Sequence, residues 1–230
     1  MVREWAPGGL HRFVGNSVVS KFAGPGIKAI DLGTGAGAMA DRLQKFGCDV
    51  TACDLSVDGY EATVPHVIID LNRTDFASVL GINSYKLITA VEVIEHLENP
   101  VSFLRNLGQM LVPGGVAVIT TPNVDSLAAR LKFFLSGRIR FMDDCSEPTH
   151  ISPIFFDLFQ RQFLPLSGLQ MRQHLLYPPD GFNSSRPTVR TLTGLVARHF
   201  PGESVLGDHH VLVLQAKVLT GAAVAADFRS

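Results

Sequence analysis

Through the first half of the chain, short apolar runs alternate with stretches whose apolar residues recur every three or four positions. Leu10, Phe13, Val14, Val18, Val19 and Phe22 have helical spacing and predict a helix over about 10–23, ended by Gly24-Pro25-Gly26. Ile27 to Leu32 reads as a buried strand, Met39 to Phe46 as a helix stopped by Gly47, and Val50 to Cys53 as a strand ending at Asp54. This is a βαβ unit, for which a right-handed connection is expected. Val64 to Ile69, Leu87 to Ala90 and Val116 to Thr120 continue as short apolar strands, with a helix over Pro100 to Leu111 and a turn at Pro113-Gly114-Gly115. The last third is less regular. Phe155 to Phe163 and Val189 to Phe200 read as helices, Leu169 to Leu176 and His210 to Lys217 as strands, and the tail after Thr220 as frayed.

The alternation predicts one doubly wound α/β domain over 1–230. At 230 residues, with 46% apolar and 18% charged residues, the chain can bury a core and is not disordered by composition. A formal net charge of −1 excludes a global field that would gather nucleic acid or anionic lipid. Cys48, Cys53 and Cys145 have no metal-type pairing and leave an odd thiol in any disulfide scheme, so a reducing compartment is the simpler expectation. With neither a signal-peptide core nor a membrane-length apolar run, the expected location is cytoplasmic.

The candidate chemistry begins at Asp31-Leu32-Gly33-Thr34-Gly35-Ala36-Gly37-Ala38, where a strand enters a glycine loop and a helix follows. Such a turn needs positive φ and lets backbone approach a ligand closely. Gly33, Gly35 and Ala38 satisfy a loose dinucleotide fingerprint, so two cofactors can claim the segment. Asp31 favours a cationic ligand such as S-adenosylmethionine, because a dinucleotide strand normally keeps that inward position apolar. Asp54, at a strand end, can accept hydrogen bonds from ribose hydroxyls, and is otherwise a turn former. Asp70 can accept from an adenine amino group while the Leu71 amide donates to the ring; an Asx turn is the alternative.

Five segments in order resemble the class I S-adenosylmethionine-dependent methyltransferases, over nearly the whole chain. They are the glycine motif from Asp31 to Gly37, Asp54, Asp70-Leu71-Asn72, Val91 to Pro100, and Leu111 to Gly115. Thr34 stands where that family often has cysteine, and Val91-Glu92-Val93-Ile94-Glu95-His96-Leu97 is similar to the ubiquinone-biosynthesis-like small-molecule branch. The resemblance implies a mostly parallel seven-stranded sheet with the last strand antiparallel. It also implies S-adenosylmethionine as cofactor, held by Asp31, Gly33, Gly35, Gly37, Asp54, Leu55, Asp70, Leu71 and Val91.

Methyl transfer from a sulfonium needs little side-chain chemistry beyond placing the nucleophile, but a hydroxyl acceptor calls for a base. His96 and His150 are the candidates; each is otherwise a structural histidine. Glu92, Glu95 and His96 would share one face of a helix and, with His150, raise the question of a divalent cation; no metal is expected. Ser126 to Phe141 reads as a basic amphipathic helix, with Arg130, Lys132, Arg138 and Arg140 among aromatics, in an insertion over 124–153. It can be a substrate lid, an interfacial helix at a membrane from Leu127 to Phe141, or a phosphate patch. The expected activity is O-methylation of a small or lipophilic metabolite, with no nucleic acid partner. A metal-dependent RNA 2′-O-methyltransferase, an NAD-dependent oxidoreductase and a non-catalytic cofactor-binding domain are the alternatives.

Overall fold

A computed structural model describes residues 2–143, 148–179, 181–182, 199 and 204–217. The helix expected over Val189 to Phe200, the tail after Thr220, and Cys145 lie outside that range as described elements. Seven strands form one sheet: β1 (Lys28–Leu32), β2 (Asp49–Asp54), β3 (His66–Ile68), β4 (Tyr85–Val91), β5 (Leu111–Pro122), β6 (Leu169–Tyr177) and β7 (His209–Ala216), in the order β3-β2-β1-β4-β5-β7-β6. The pairs among β1 to β5 are parallel, and β7 runs antiparallel to both β5 and β6.

Central strands read as unbroken apolar runs because both faces are covered. Ala29, Leu87, Val91, Val116, Val118, Val211 and Val213 face one layer, which includes Leu10 and Val14 of α1 (Leu10–Ser17) and Met39 and Leu43 of α2 (Ala38–Lys45). Ile30, Ile88, Ala117, Ile119, Leu212 and Leu214 face the other, packed on Phe103, Leu104 and Leu107 of α4 (Pro100–Met110) and on the short α3 (Phe76–Leu80). The two-residue period of the strand sorts these neighbours onto opposite sides. Asn99 caps α4, its side chain accepting from the Ser102 amide at 2.9 Å, with Pro100 at the first helical position.

Several expected boundaries move for physical reasons. The first helix stops at Ser17 and a 3₁₀ turn takes over at Val19–Lys21. The turn expected at Pro113-Gly114-Gly115 lies inside β5: Tyr85 pairs with Leu111 and Leu87 with Val116, so the intervening residues bulge, with Gly114 at φ 70°. Phe156 to Ser167 is one helical stretch in three pieces, α6, whose middle Phe159–Phe163 is a π turn. The insertion helix is shorter than expected. α5 covers Leu127–Ser136, capped by the Ser126 hydroxyl and ended by Gly137 at φ 67°, so Arg138, Arg140 and Phe141 lie beyond it.

Candidate functional site

The order of strands reverses between β1 and β4, and the loops after β1, β2 and β4 open there into one cavity of about 830 Å³. In open α/β sheets this switch point is where ligands bind, and the volume suits a cofactor with its acceptor. Asp31, next to the last residue of β1, is buried. It accepts hydrogen bonds from the Thr34 hydroxyl at 2.6 Å and from the Thr89 hydroxyl, its neighbour across β4, at 2.7 Å. Burial pushes its carboxyl up to about 6, with the hydroxyls opposing the shift. It therefore braces the loop.

Gly33 (φ 64°) and Gly35 (φ 52°) make the turn. A Cβ on Gly33 would stand 2.5 Å from Val93, and one on Gly35 2.9 Å from the Trp5 indole. The loop thus needs glycine twice over, for its backbone and for what presses on it. Asp54 holds the loop from β2: its Oδ2 accepts from the Gly35 amide and its Oδ1 from the Leu55 amide, both at 2.7 Å. Each oxygen keeps acceptor capacity toward the cavity, as a ribose diol requires. Asp70 takes the Asx-turn geometry, accepting from the Asn72 amide at 2.8 Å. Asp70, Leu71 and Asn72 all line the cavity beside it.

Of the expected cofactor residues, Asp31, Gly33, Gly35, Asp54, Leu55, Asp70, Leu71 and Val91 line this cavity. Gly37 does not: it precedes α2 at φ 93° and faces Ala62 and Tyr60. Loop and cavity offer a strand-end carboxylate, a glycine-loop backbone that lines the cavity and a buried acid, which fits a nucleoside-bearing sulfonium.

The far end of the cavity is lined by His11, Glu92, His96, Pro122, Phe141, Thr149, His150 and His209. His96 Nδ1 donates to the Thr149 carbonyl at 3.2 Å and lies 3.0 Å from its hydroxyl, while His150 Nδ1 donates to the Phe141 carbonyl at 2.8 Å. The two rings meet edge to face at 4.6 Å. Both base candidates thus stand in the chamber, each with one ring nitrogen committed.

The helical face proposed for Glu92, Glu95 and His96 does not form. Glu92 has φ 56° and only Ile94–His96 is a 3₁₀ turn, so Glu92 points elsewhere. Its Oε1 accepts from the Thr120 hydroxyl at 2.8 Å, and its Oε2 lies 3.0 Å from His209 Nδ1. Glu95, His96 and His150 do converge, their ligand-type atoms within 4.8 Å of one another, and could hold a cation among the described residues. Glu95 is fully buried, and burial, then the charge of Glu92, raises its carboxyl well above the usual range.

Two of the four basic side chains of the stretch, Lys132 and Arg140, are committed to carboxylates. Arg130 Nε donates to the Asp125 carbonyl at 2.8 Å, Lys132 pairs with Asp143, and Arg140 pairs with Asp208 at 2.6 Å. The stretch exposes Arg130 and Arg138 together with a larger apolar surface: Phe134 is 85% and Leu135 79% accessible, with Leu131 and Phe133 beside them. The return segment is pinned over the site, since the Ile151 and Ser152 amides donate to the Glu95 carbonyl at 3.0 and 2.9 Å. Trp5, His11, Phe141 and His209 were not expected from the sequence. None sits in a strand-end motif, and only the fold brings them to one chamber.

A family model described as "Methyltransferase domain" matches residues 5–164. A ubiquinone biosynthesis O-methyltransferase of Xanthomonas campestris pv. campestris is 27% identical over 113 residues, 46% of this chain and 47% of that protein. A mitochondrial protein of the same description from Schizosaccharomyces pombe is 32% identical over 122 residues, 50% of this chain and 44% of its own. The match thus spans about half the length of these curated relatives. Among solved structures, a SAM-dependent methyltransferase from Archaeoglobus fulgidus superposes with TM-score 0.59 at 15% identity over 89% of this chain and 94% of that one. One from Aquifex aeolicus gives 0.56 at 15% over 92% and 94%. At such identity the likeness is one of fold. No described helix is long and apolar enough to cross a membrane. The family match over most of the chain, on a sheet of this order with a braced glycine loop at its switch point, makes the chain a member of the methyltransferase domain family, with the class I S-adenosylmethionine-dependent fold.

Proposed function

We propose that this chain methylates an oxygen of a small, lipophilic molecule, using S-adenosylmethionine. The observation that carries the reading is the continuity of one cavity from the Asp54-tethered glycine loop to a chamber lined by histidines and Phe141. Bound cofactor supplies a methyl carbon already activated by sulfonium. The chain's residues do the rest. Gly33 and Gly35 admit the nucleoside, Asp54 fixes the ribose, Asp70 and Leu71 meet the adenine, and the walls exclude water. Phe141, Thr149 and His150 wall the site as parts of a lid, and the exposed apolar side chains of α5 are the surface from which a lipophilic acceptor enters. The ubiquinone-biosynthesis description of the two relatives agrees with an oxygen acceptor of that character.

The test is transfer of a labelled methyl group from S-adenosylmethionine to components of a total lipid extract, followed by identification of the labelled product. An O-methylated, solvent-extractable product is expected. Label confined to protein or nucleic acid in a whole-cell extract, with none in the lipid fraction, would refute the acceptor class.

A further inference from the structure

We propose that His209, oriented by Glu92, is the catalytic base that takes the proton from the acceptor hydroxyl. The inference rests on the oxygen-acceptor reading above and deepens it. β7 lies beside β5 with His209 opposite Pro122, which brings this imidazole from the end of the described chain to the same edge of the sheet as the glycine loop. Both His209 and Glu92 line the cavity, and both side chains are almost wholly buried.

Glu92 is built to aim. Its amide donates to the Thr120 hydroxyl at 2.9 Å, and the same hydroxyl donates back to its Oε1 at 2.8 Å, so one side chain of β5 clamps the residue at both ends. The left-handed backbone at φ 56°, costly for a residue with a Cβ, is the conformation in which this clamp exists. The other carboxylate oxygen stands 3.0 Å from His209 Nδ1, an ion-pair contact whose N–H···O alignment falls short of a hydrogen bond, so charge and proximity rather than a made bond couple the two. A carboxylate at that distance favours the tautomer protonated on Nδ1, which leaves the lone pair on Nε2. Nδ1 of His96 and of His150 donates to a carbonyl, which likewise leaves Nε2 as acceptor, and Glu95 lies 4.0 Å from His150 Nε2. The described ring contacts of His209 are Phe141 at 5.7 Å and Tyr177 at 6.4 Å, apolar walls beside the dyad.

In the step, the acceptor oxygen forms its bond to the methyl carbon as the carbon–sulfur bond breaks with its electron pair going to sulfur. The hydroxyl proton passes to His209 Nε2, the imidazolium is held by the Glu92 carboxylate, and the proton later leaves to water. The charged and titratable groups that bear on His209 are Glu92 from the β4 loop and Asp208 in the same strand end, both raising it, and Arg140 from beyond α5, lowering it. His11 of α1 and His150 of the lid return line the same chamber. Burial alone would depress the imidazole; the Glu92 carboxylate outweighs it and the net direction is upward.

The experiment compares wild type with His209→Gln and Glu92→Gln in three measurements: S-adenosylmethionine binding by calorimetry, the pH profile of methyl transfer to the lipid extract, and the His209 imidazole titration by NMR in the cofactor-free protein. For His209→Gln the expectation is unchanged cofactor affinity, kcat lower by on the order of 10² to 10⁴, and loss of the acid limb. For Glu92→Gln the acid limb and the His209 titration both shift to lower pH. A His209→Gln enzyme with kcat within about threefold of wild type and its acid limb intact overturns the proposal, as does an NMR titration of His209 that Glu92→Gln leaves in place. Failure of wild type to bind S-adenosylmethionine or to label an oxygen overturns the functional reading instead, while the NMR comparison still decides the dyad.

Discussion

Asp54→Ala tests the cofactor end most directly. The carboxylate performs two tasks in the free protein, accepting the Gly35 and Leu55 amides at 2.7 Å each, and the ribose assignment adds two hydrogen bonds in the complex. A hydrogen bond to a charged group contributes about 1.5–3 kcal/mol, so losing both ribose bonds costs about 3 kcal/mol or more, a weakening on the order of a hundredfold. The glycine loop also loses its tether to β2, which adds to the loss through ordering of the loop. Asp54 is only half-buried, so water replaces the carboxylate in the free chain and the melting temperature changes by no more than about 2 °C. Asp54→Asn keeps one acceptor and its position without the charge, and is expected between the two, about tenfold weaker than wild type. Calorimetric titration with S-adenosylmethionine, on variants shown by thermal melts to be folded, reads both. If Asp54→Ala binds within about threefold of wild type, the ribose is held elsewhere and the assignment of this strand end is wrong.

The buried Asn123 amide donates to the carbonyls of Ser204, Leu206 and Gly207 at 2.8, 2.9 and 3.2 Å, while its oxygen accepts from the Asp125 amide at 3.0 Å. Asn123→Ala strands these groups and is expected to cost about 3 kcal/mol in urea unfolding, lowering Tm by roughly 6–12 °C. His174 Nε2 and His210 Nδ1 lie 2.9 Å apart with Phe156 stacked on both rings, and burial depresses them to about 4 and about 3, the latter helped by its two imidazole neighbours. Their stabilising effect is complete above pH 6.5 and is lost as the pH falls toward 4, because only the unfolded chain protonates there, at up to about 1.4 kcal/mol per pH unit per ring. Asp31, raised to about 6, works in the opposite sense over the same range, so the comparison is with His210→Leu, whose stability should fall less steeply between pH 6 and 4; equal slopes would show that the pair does not titrate on unfolding. Phe133→Ser with Phe134→Ser should change stability by less than about 0.5 kcal/mol while raising KM for lipophilic acceptors, and an unchanged KM would remove α5 from the entry route. Elemental analysis of protein purified without chelator is expected to find no stoichiometric cation at Glu95, His96 and His150, since Glu92, the second carboxylate nearby, is committed to Thr120 and His209; one equivalent lost in Glu95→Gln would reverse that expectation.

Local sequence carries the cofactor end of this site because each piece is a strand end with its own signal. Buried parallel strands are apolar on both faces, so β1, β2, β4 and β5 stand out as runs, and an acid breaks the run next to the end of β1 and at the end of β2, where the chain reaches the switch point. Asp31 and Asp54 are read from their positions for that reason. The sequence spacing at Glu92, Glu95 and His96 misleads, because periodicity presumes helical φ and Glu92 is held at +56° by Thr120, a partner across the sheet. The acceptor end is different in kind. His11 comes from α1, Phe141 from beyond α5, His150 from the lid return and His209 from β7, and none of these segments meets another by local rules.

What places His209 is register. Thr120 pairs with Val211 and Pro122 with His209, so two residues along β7 separate the ring facing the chamber from an apolar position in the core. A slip of one residue would exchange His209 for His210, whose ring is buried on the other face against Phe156 and His174. The adjacent histidines therefore have opposite fates, one beside a carboxylate in the cavity and one kept neutral in the core. Their difference follows from the two-residue period of a strand whose register is fixed by Val211, Leu212, Val213 and Leu214 packing into the two layers. Substitutions that loosen this packing, such as Val213→Ala, should weaken methyl transfer without touching the cavity. The expected signature is a fall in kcat, together with a stability loss of about 1–3 kcal/mol, at unchanged cofactor affinity. A Val213→Ala enzyme that loses stability yet keeps kcat would show that the placement of His209 does not depend on the sheet beneath it.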